Sequence, residues 1–182
     1  MERSFALVAL FAALIAVLGL VPSFMLITGV PISAQSLGVM LAGCVLGAKR
    51  GALAVLLFLL LVALGLPLLA GGRGGLGVFV GPTAGFLAGF PVAAFVTGWI
   101  TERWRGVDLM LVAGLAALVG GVLVLYAFGV AGMMLAAGLS PVQALTALAA
   151  FVPGDIIKAA IAGVLTRAIW QARPEAVLSR SR

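Results

Sequence analysis

Long apolar runs with uncharged interiors divide this chain, and they leave it few choices of fold. One reads Leu56-Leu57-Phe58-Leu59-Leu60-Leu61-Val62-Ala63-Leu64, without a polar side-chain atom. Crossing the ~30 Å hydrocarbon core takes about 20 such residues. With no water there, the backbone must satisfy its own hydrogen bonds, which a helix does. Of the 182 residues, 64% are hydrophobic and 9% charged. A soluble domain carries about 25% charged residues and has too little interior to hide the apolar remainder. The expected class is an all-α integral membrane protein in the lipid bilayer, a single transmembrane domain over residues 1–182.

Six spans are predicted, at about 5–21, 32–48, 51–66, 82–100, 109–128 and 153–171. Met1-Glu2-Arg3-Ser4 and the apolar residues after it resemble a signal peptide superficially. No small-x-small cleavage site leads into a soluble domain, so this stretch is read as the first span. Within it Ala9 and Ala13, like Ala12 and Ala16, are four apart. That spacing lets another helix approach closely, and it also suits an ordinary alanine-rich span. Lys49-Arg50-Gly51 reads as a tight charged turn. Gly81, Gly85, Gly89 and Ala93 form a narrow face for helix packing, and Pro91 predicts a kink. Gly129–Leu139 reads as a connection, and Ser140-Pro141 as a helix cap and first position. Pro153-Gly154 should separate an interfacial segment from the sixth span. The tail from Ala172 to Arg182 reads as frayed.

Charge placement orients the spans. The chain has 11 Lys and Arg against 5 Asp and Glu. Six spans put both termini on one side, together with Arg3, Lys49, Arg50, Arg103, Arg105, Arg167, Arg173, Arg180 and Arg182. Only Arg73 falls on the other side, and Lys158 lies within the membrane. The positive-inside rule makes the basic side, and both termini, cytoplasmic. No basic stripe with interleaved aromatics suggests nucleic acid.

Several chemistries are excluded. Histidine is absent and Cys44 is the single cysteine. This removes the common zinc sites and any Ser-His or Cys-His catalytic pair, so neither metal nor cofactor is expected. No GxxxxGK[ST] sequence is present for ATP hydrolysis, and the chain is not read as an enzyme. Gly72-x-Gly74-x-x-Gly77 imitates a dinucleotide fingerprint, but membrane spans flank it and no strand–helix–strand unit does.

The polar exceptions point to a site. Asp155 and Lys158, three apart at the head of the sixth span, share a helix face. A charge at mid-membrane depth costs about 2.5–3.5 kcal/mol on insertion scales. Two of them in so apolar a chain are either an ion pair pinning helices together or a ligand site. Ser33, Gln35 and Ser36 open the second span, and Gln35, the most polar, is a site candidate that could equally sit in the interface. Arg73 is the one charge in the glycine-rich connection Gly65–Gly81, as a solvated loop tip or a ligand contact. Tyr126 is an interface anchor or part of a pocket. Were Arg73, Asp155 and Lys158 to converge at the outer end, they would suit a small amphipathic, anionic solute with both donors and acceptors. A buried Asp–Lys pair could also serve a proton or ion carrier, although no relay crosses the bilayer.

The ordered set Pro31-Ile32-Ser33-x-Gln35, Leu46-Gly47-x-x-x-Gly51, Gly65-Leu66-Pro67-Leu68-Leu69-Ala70 before Gly74-Gly75, Gly81-Pro82-Thr83-x-Gly85-Phe86-Leu87-x-Gly89-Phe90 and Pro153-Gly154-Asp155-x-x-Lys158 resembles the BioY family. These are the biotin-specific substrate-binding (S) components of energy-coupling factor (ECF) transporters. Each piece is moderately specific; their order within six spans is strong. Ser33 stands where threonine is more usual. The resemblance implies a six-helix S-component fold in the cell membrane that binds biotin near the outer face. It also implies partners, a transmembrane coupling (T) protein and two cytoplasmic ATPases, with Ala9 and Ala13 on the face that docks the coupling protein. Biotin matches the donor and acceptor set. Asp155 would accept from a ureido N–H, Lys158 would donate to the ureido carbonyl, and Arg73 would meet the carboxylate. Gln35 and the loop backbone at Gly74 and Gly75 would fill the remaining valences. The two ends could be exchanged. An S component for another vitamin, a stand-alone carrier of biotin and a purely structural membrane protein are the alternatives.

Overall fold

The computed structural model describes residues 2–181. Its helices are α1 (Glu2–Leu18), α2 (Gln35–Leu46), α3 (Ala48–Ala63), α4 (Ala84–Arg103), α5 (Leu109–Ala137), α6 (Pro141–Ala149) and α7 (Val152–Ala172). A two-stranded antiparallel hairpin, β1 (Phe24–Met25) with β2 (Pro31–Ile32), links α1 to α2. By length and composition α4 and α5 each suffice to cross a membrane, and α6 with α7 suffices as one span bent by 55°. The 17 residues of α1 and 16 of α3 come close to the hydrocarbon thickness at about 1.5 Å each. The 12 residues of α2 reach only about 18 Å, and the pocket described below lies over the short end this leaves.

The turn between α2 and α3 is not Lys49-Arg50-Gly51, which lie in the first turn of α3, but Gly47 alone, at φ +85°. Glycine reaches this conformation without steric cost. Gly51 serves packing instead: a Cβ there would stand 2.8 Å from the Ala42 carbonyl oxygen. The elbow is held from both sides. Ala48 N–H donates to Glu102 Oε1 at 2.9 Å. At the end of α2, the Cys44 and Val45 carbonyls, which lack helical donors, accept from Ser179 Oγ (2.6 Å) and Ser179 N–H (3.0 Å). The C-terminal tail is therefore docked rather than frayed, with Val177 and Ser179 buried. Arg182 lies outside the described residues.

Glycines that read as loop signals turn out to be contact surfaces. α5 does not stop near Phe128 but continues to Ala137, where Gly138 at φ +64° ends it. Gly129 faces the ring of Phe86, and Gly132 meets Gly85 of α4 so closely that a Cβ would stand 2.5 Å from the Gly85 backbone. Of the predicted α4 stripe, Gly85 and Gly89 pack on α5 and Ala93 is buried, whereas Gly81 lies before the helix, where a Cβ would come no closer than 4.0 Å to the Gly77 oxygen. Pro91 sits inside α4 without ending it. A π-turn at Val119–Val124 interrupts α5 where Gly120 abuts Thr97. Ser140 caps α6 in a reciprocal pair with Gln143. The break before α7 falls at Ala150-Phe151, and Pro153 lies in the first turn of α7, where its missing N–H is harmless.

The two ends of the molecule differ. At one, Arg3 pairs with Glu175 at 3.6 Å, Arg167 pairs with Asp108, and Arg180 donates to the Trp104 carbonyl. Among the described residues, this end gathers most of the basic side chains other than Arg73 and Lys158, together with the start of α1 and the C-terminal tail. The opposite end holds the hairpin, the glycine-rich connection and the pocket.

Candidate functional site

The heads of α2 and α7 meet, and their polar residues form one network. Asp155 is 3% exposed. Its Oδ1 accepts from Lys158 Nζ (2.8 Å) and Ser36 Oγ (3.2 Å), and its Oδ2 accepts from Tyr126 Oη (2.9 Å). Lys158 Nζ also donates to the Ser33 carbonyl (2.7 Å) and to Ser36 Oγ (3.0 Å), which engages all three of its N–H groups. The pair lies three residues apart on one helix, as its spacing predicts. Tyr126 belongs to the pocket rather than the interface, because α5 turns its hydroxyl onto the carboxylate.

This network forms one wall of a cavity whose empty space, counted to its open mouth, is about 540 Å³. The remaining walls are largely apolar. Phe86, Leu87 and Phe90 come from α4, Leu125 from α5, Phe151 from the bend before α7, and Val30 and Leu69 from the two outer connections. Phe86 and Phe151 stack with ring centroids 6.0 Å apart. Offset aromatic pairs of this kind make a flat, stiff surface for a ring or alkyl chain.

Arg73 enters from the glycine-rich connection and borders the same cavity. Its Nε donates to the Ala70 carbonyl at 3.1 Å, and its terminal nitrogens have no protein partner among the described residues. Burial lowers its pKa from the ordinary value, yet a guanidinium stays protonated. The structure thus brings Arg73, Asp155, Lys158, Tyr126 and Gln35 to one cavity. Gln35 is 2% exposed, with its amide bonded to backbone groups of α1 and the connection. Gly74 and Gly75 are not in the cavity wall. A Cβ on Gly74 would stand 2.2 Å from the Leu66 carbonyl oxygen, and Gly75, at φ +82°, donates its N–H to Val62. They fold the connection. Ala9 and Ala13 are exposed on α1.

Sequence reasoning selects Gln35 as the more polar residue, while the structure puts Ser36 on the ion pair and adds the Ser33 carbonyl. Nothing in the sequence signals this: Ser33 precedes α2 and contributes its backbone carbonyl, which any residue carries, and Ser36 is one serine among several. The aromatic wall of Phe86, Phe90 and Phe151 had no signal either, because apolar spans are rich in such residues.

Known proteins resemble this chain along most of its length. The BioY family model matches residues 2–175. The biotin transporter BioY of Rhodobacter capsulatus is 57% identical, over 99% of this chain and 100% of the relative. That of Rhizobium etli is 53% identical, over 94% and 95%. Among solved structures, the crystal structure of the S-component for biotin from an ECF-type ABC transporter superposes with a TM-score of 0.88 at 29% identity, covering 93% of this chain and 92% of that one.

Proposed function

The chain belongs to the BioY family, and we propose that it is the biotin-binding membrane subunit of an ECF-type transporter, capturing biotin at the outer face of the cell membrane and delivering it inward. The observation that carries this reading is the network of Asp155, Lys158, Ser36 and Tyr126 set into an aromatic-walled cavity, with Arg73 arriving at the same cavity from the outer connection. Biotin has a ureido ring with two N–H donors and a carbonyl acceptor, an apolar thiophane and alkyl chain, and a carboxylate. Asp155 retains lone pairs for a ureido N–H. Lys158 has no spare donor, so the ureido carbonyl takes the place of one of its present acceptors, the Ser33 carbonyl or Ser36 Oγ. Arg73, whose terminal nitrogens have no partner among the described residues, receives the carboxylate, which is the bidentate geometry a guanidinium favours. Phe86, Phe90 and Phe151 cover the apolar middle.

The basic end that carries both termini faces the cytoplasm by the positive-inside rule, which places the cavity outside. Energy comes from two cytoplasmic ATPases through a transmembrane coupling protein, which docks on α1 at Ala9 and Ala13. Close approach there needs small side chains. The chain itself catalyses nothing.

Titration calorimetry of the purified chain in detergent tests the site. Tight biotin binding is expected, with loss in both Asp155→Ala and Lys158→Ala. Undiminished affinity in Asp155→Ala would overturn the arrangement. Absence of binding by the intact, folded chain would overturn the biotin assignment.

A further inference from the structure

Gln35 borders the cavity, yet its side chain works elsewhere. Its Nε2 donates to the Ile15 carbonyl of α1 (3.2 Å) and to the Leu68 carbonyl of the glycine-rich connection (3.1 Å). Its Oε1 accepts from Ala70 N–H at 3.0 Å. The Ile15 carbonyl is open to it because α1 tightens at its end, Gly19 N–H turning to Ala16 O at 2.9 Å. Gly19 also makes the space. A Cβ there would stand 2.4 Å from the Leu68 oxygen and 2.9 Å from Gln35 Nε2.

Ala70 passes this anchorage on. Gln35 holds its N–H, and its carbonyl accepts from Arg73 Nε at 3.1 Å. Leu69 and Arg73 close a tight turn by exchanging backbone bonds at 3.0 and 3.3 Å. Gly71 and Gly72 at its tip have φ of +77° and +70°, with nothing within 4 Å of a Cβ on either. The tip has no packing of its own, so the turn is fixed at its base. Two of the side-chain bonds at that base run through one residue, Ala70.

We propose that Gln35 is a positioning residue for Arg73. Through Ala70 it sets where the guanidinium stands over the cavity, and it need not touch the ligand to do so. The same amide ties α1 to this turn, so the end of α1 and the outer cover of the cavity move together. The proposal rests on reading the cavity as a biotin site with Arg73 at the carboxylate, and two readouts keep its failure separate from that reading's.

The first needs no ligand. Arg73 is the only basic residue in its connection, so trypsin cleavage after Arg73 in the purified chain reports how firmly the turn is held. Gln35→Met, close in volume and without donors, is expected to raise that cleavage rate about tenfold, the scale of one or two lost hydrogen bonds. An unchanged rate overturns the proposal. The second compares biotin with biotinamide, which lacks the carboxylate. The preference for biotin should be lost alike in Arg73→Ala and in Gln35→Met, and the double variant should be no worse than Arg73→Ala alone. Additive losses would make Gln35 a ligand contact in its own right and overturn the proposal. If Gln35→Met does not fold, hydrogen exchange in the parent chain decides. Ala70 N–H should be as protected as the amides of α2, and fast exchange there would overturn the proposal. If the parent binds neither compound, the biotin reading fails while the cleavage rate still tests Gln35.

Discussion

Asp155 shows what the sequence could and could not disclose about single residues. Its partnership with Lys158 follows from a spacing of three on a helix, and two charges in an apolar run mark themselves. Ser36 and Tyr126, which complete the network, are ordinary in sequence: a serine and a tyrosine near the ends of apolar runs carry no signal of which way they face. Phe86, Phe90 and Phe151 are harder still, because an aromatic lining a cavity and one filling a core have the same chemistry. The network also allows the two readings of the ion pair, structural and ligand-binding, to be separated. Removing Asp155 alone leaves Lys158, whose side chain is 15% exposed, without a counter-charge. Such half-broken pairs cost about 3–5 kcal/mol. Asp155→Ala should therefore lower stability by that order. The double variant Asp155→Ala, Lys158→Met should recover most of the stability and none of the biotin affinity. Thermal unfolding in detergent and calorimetry on the same preparations check both halves. A double variant as unstable as the single one would mean that the cost lies in packing rather than in the stranded charge.

Among the elements, glycine was the residue most open to misreading. Its two uses, freedom of φ and absence of a side chain, look the same in a sequence. Gly47 uses the first and makes the elbow between α2 and α3; its basic neighbours only suggest a turn one step late. Gly129 and Gly132 use the second, and their apparent loop is the last part of α5. The stripe on α4 divides in the same way. Gly85 is pressed against α5, with a Cβ position 2.2 Å from the Phe128 carbonyl oxygen, while a Cβ on Gly81 would meet only the Gly77 oxygen at 4.0 Å. Gly85→Ala forces the two backbones apart, as overpacking does at about 1–3 kcal/mol. Gly81→Ala should stay within about 0.5 kcal/mol, as surface changes do. Unfolding midpoints of the two variants in one detergent give the comparison, and equal shifts would contradict the close approach of α4 and α5 at Gly85. The docked tail could not have been read from its own composition. What holds it is the pair of carbonyls that α2 leaves open at Cys44 and Val45, a requirement visible only once the elbow is in place.

For the molecule as a whole, polarity from end to end was the most legible feature, because apolar runs and the placement of Lys and Arg are properties of the entire chain. It carries the proposed orientation and can be tested directly. In a Cys44→Ala background, a cysteine placed at Gly72 should react with a membrane-impermeant maleimide in intact cells, and one placed at Lys49 only after permeabilisation. The reverse pattern would turn the cavity to the cytoplasm. Partner docking belongs to the same scale. Ala9 and Ala13 are exposed on α1, while Ala12 and Ile15 are buried. One face of the helix therefore serves the chain's own packing, and the other is exposed, with Ala9 and Ala13 alongside Phe5, Leu10 and Val17. If the exposed face receives the coupling protein at the two alanines, bulk there should separate capture from transport. Ala9→Trp with Ala13→Trp should leave biotin affinity of the isolated chain unchanged, since neither residue lines the cavity. The same variant should no longer copurify with the coupling protein and the ATPases, and ATP-dependent uptake should be lost. Copurification at the parent level would place the docking surface elsewhere on the molecule, and loss of biotin binding would mean that α1 reaches the cavity through the contacts at its C-terminal end.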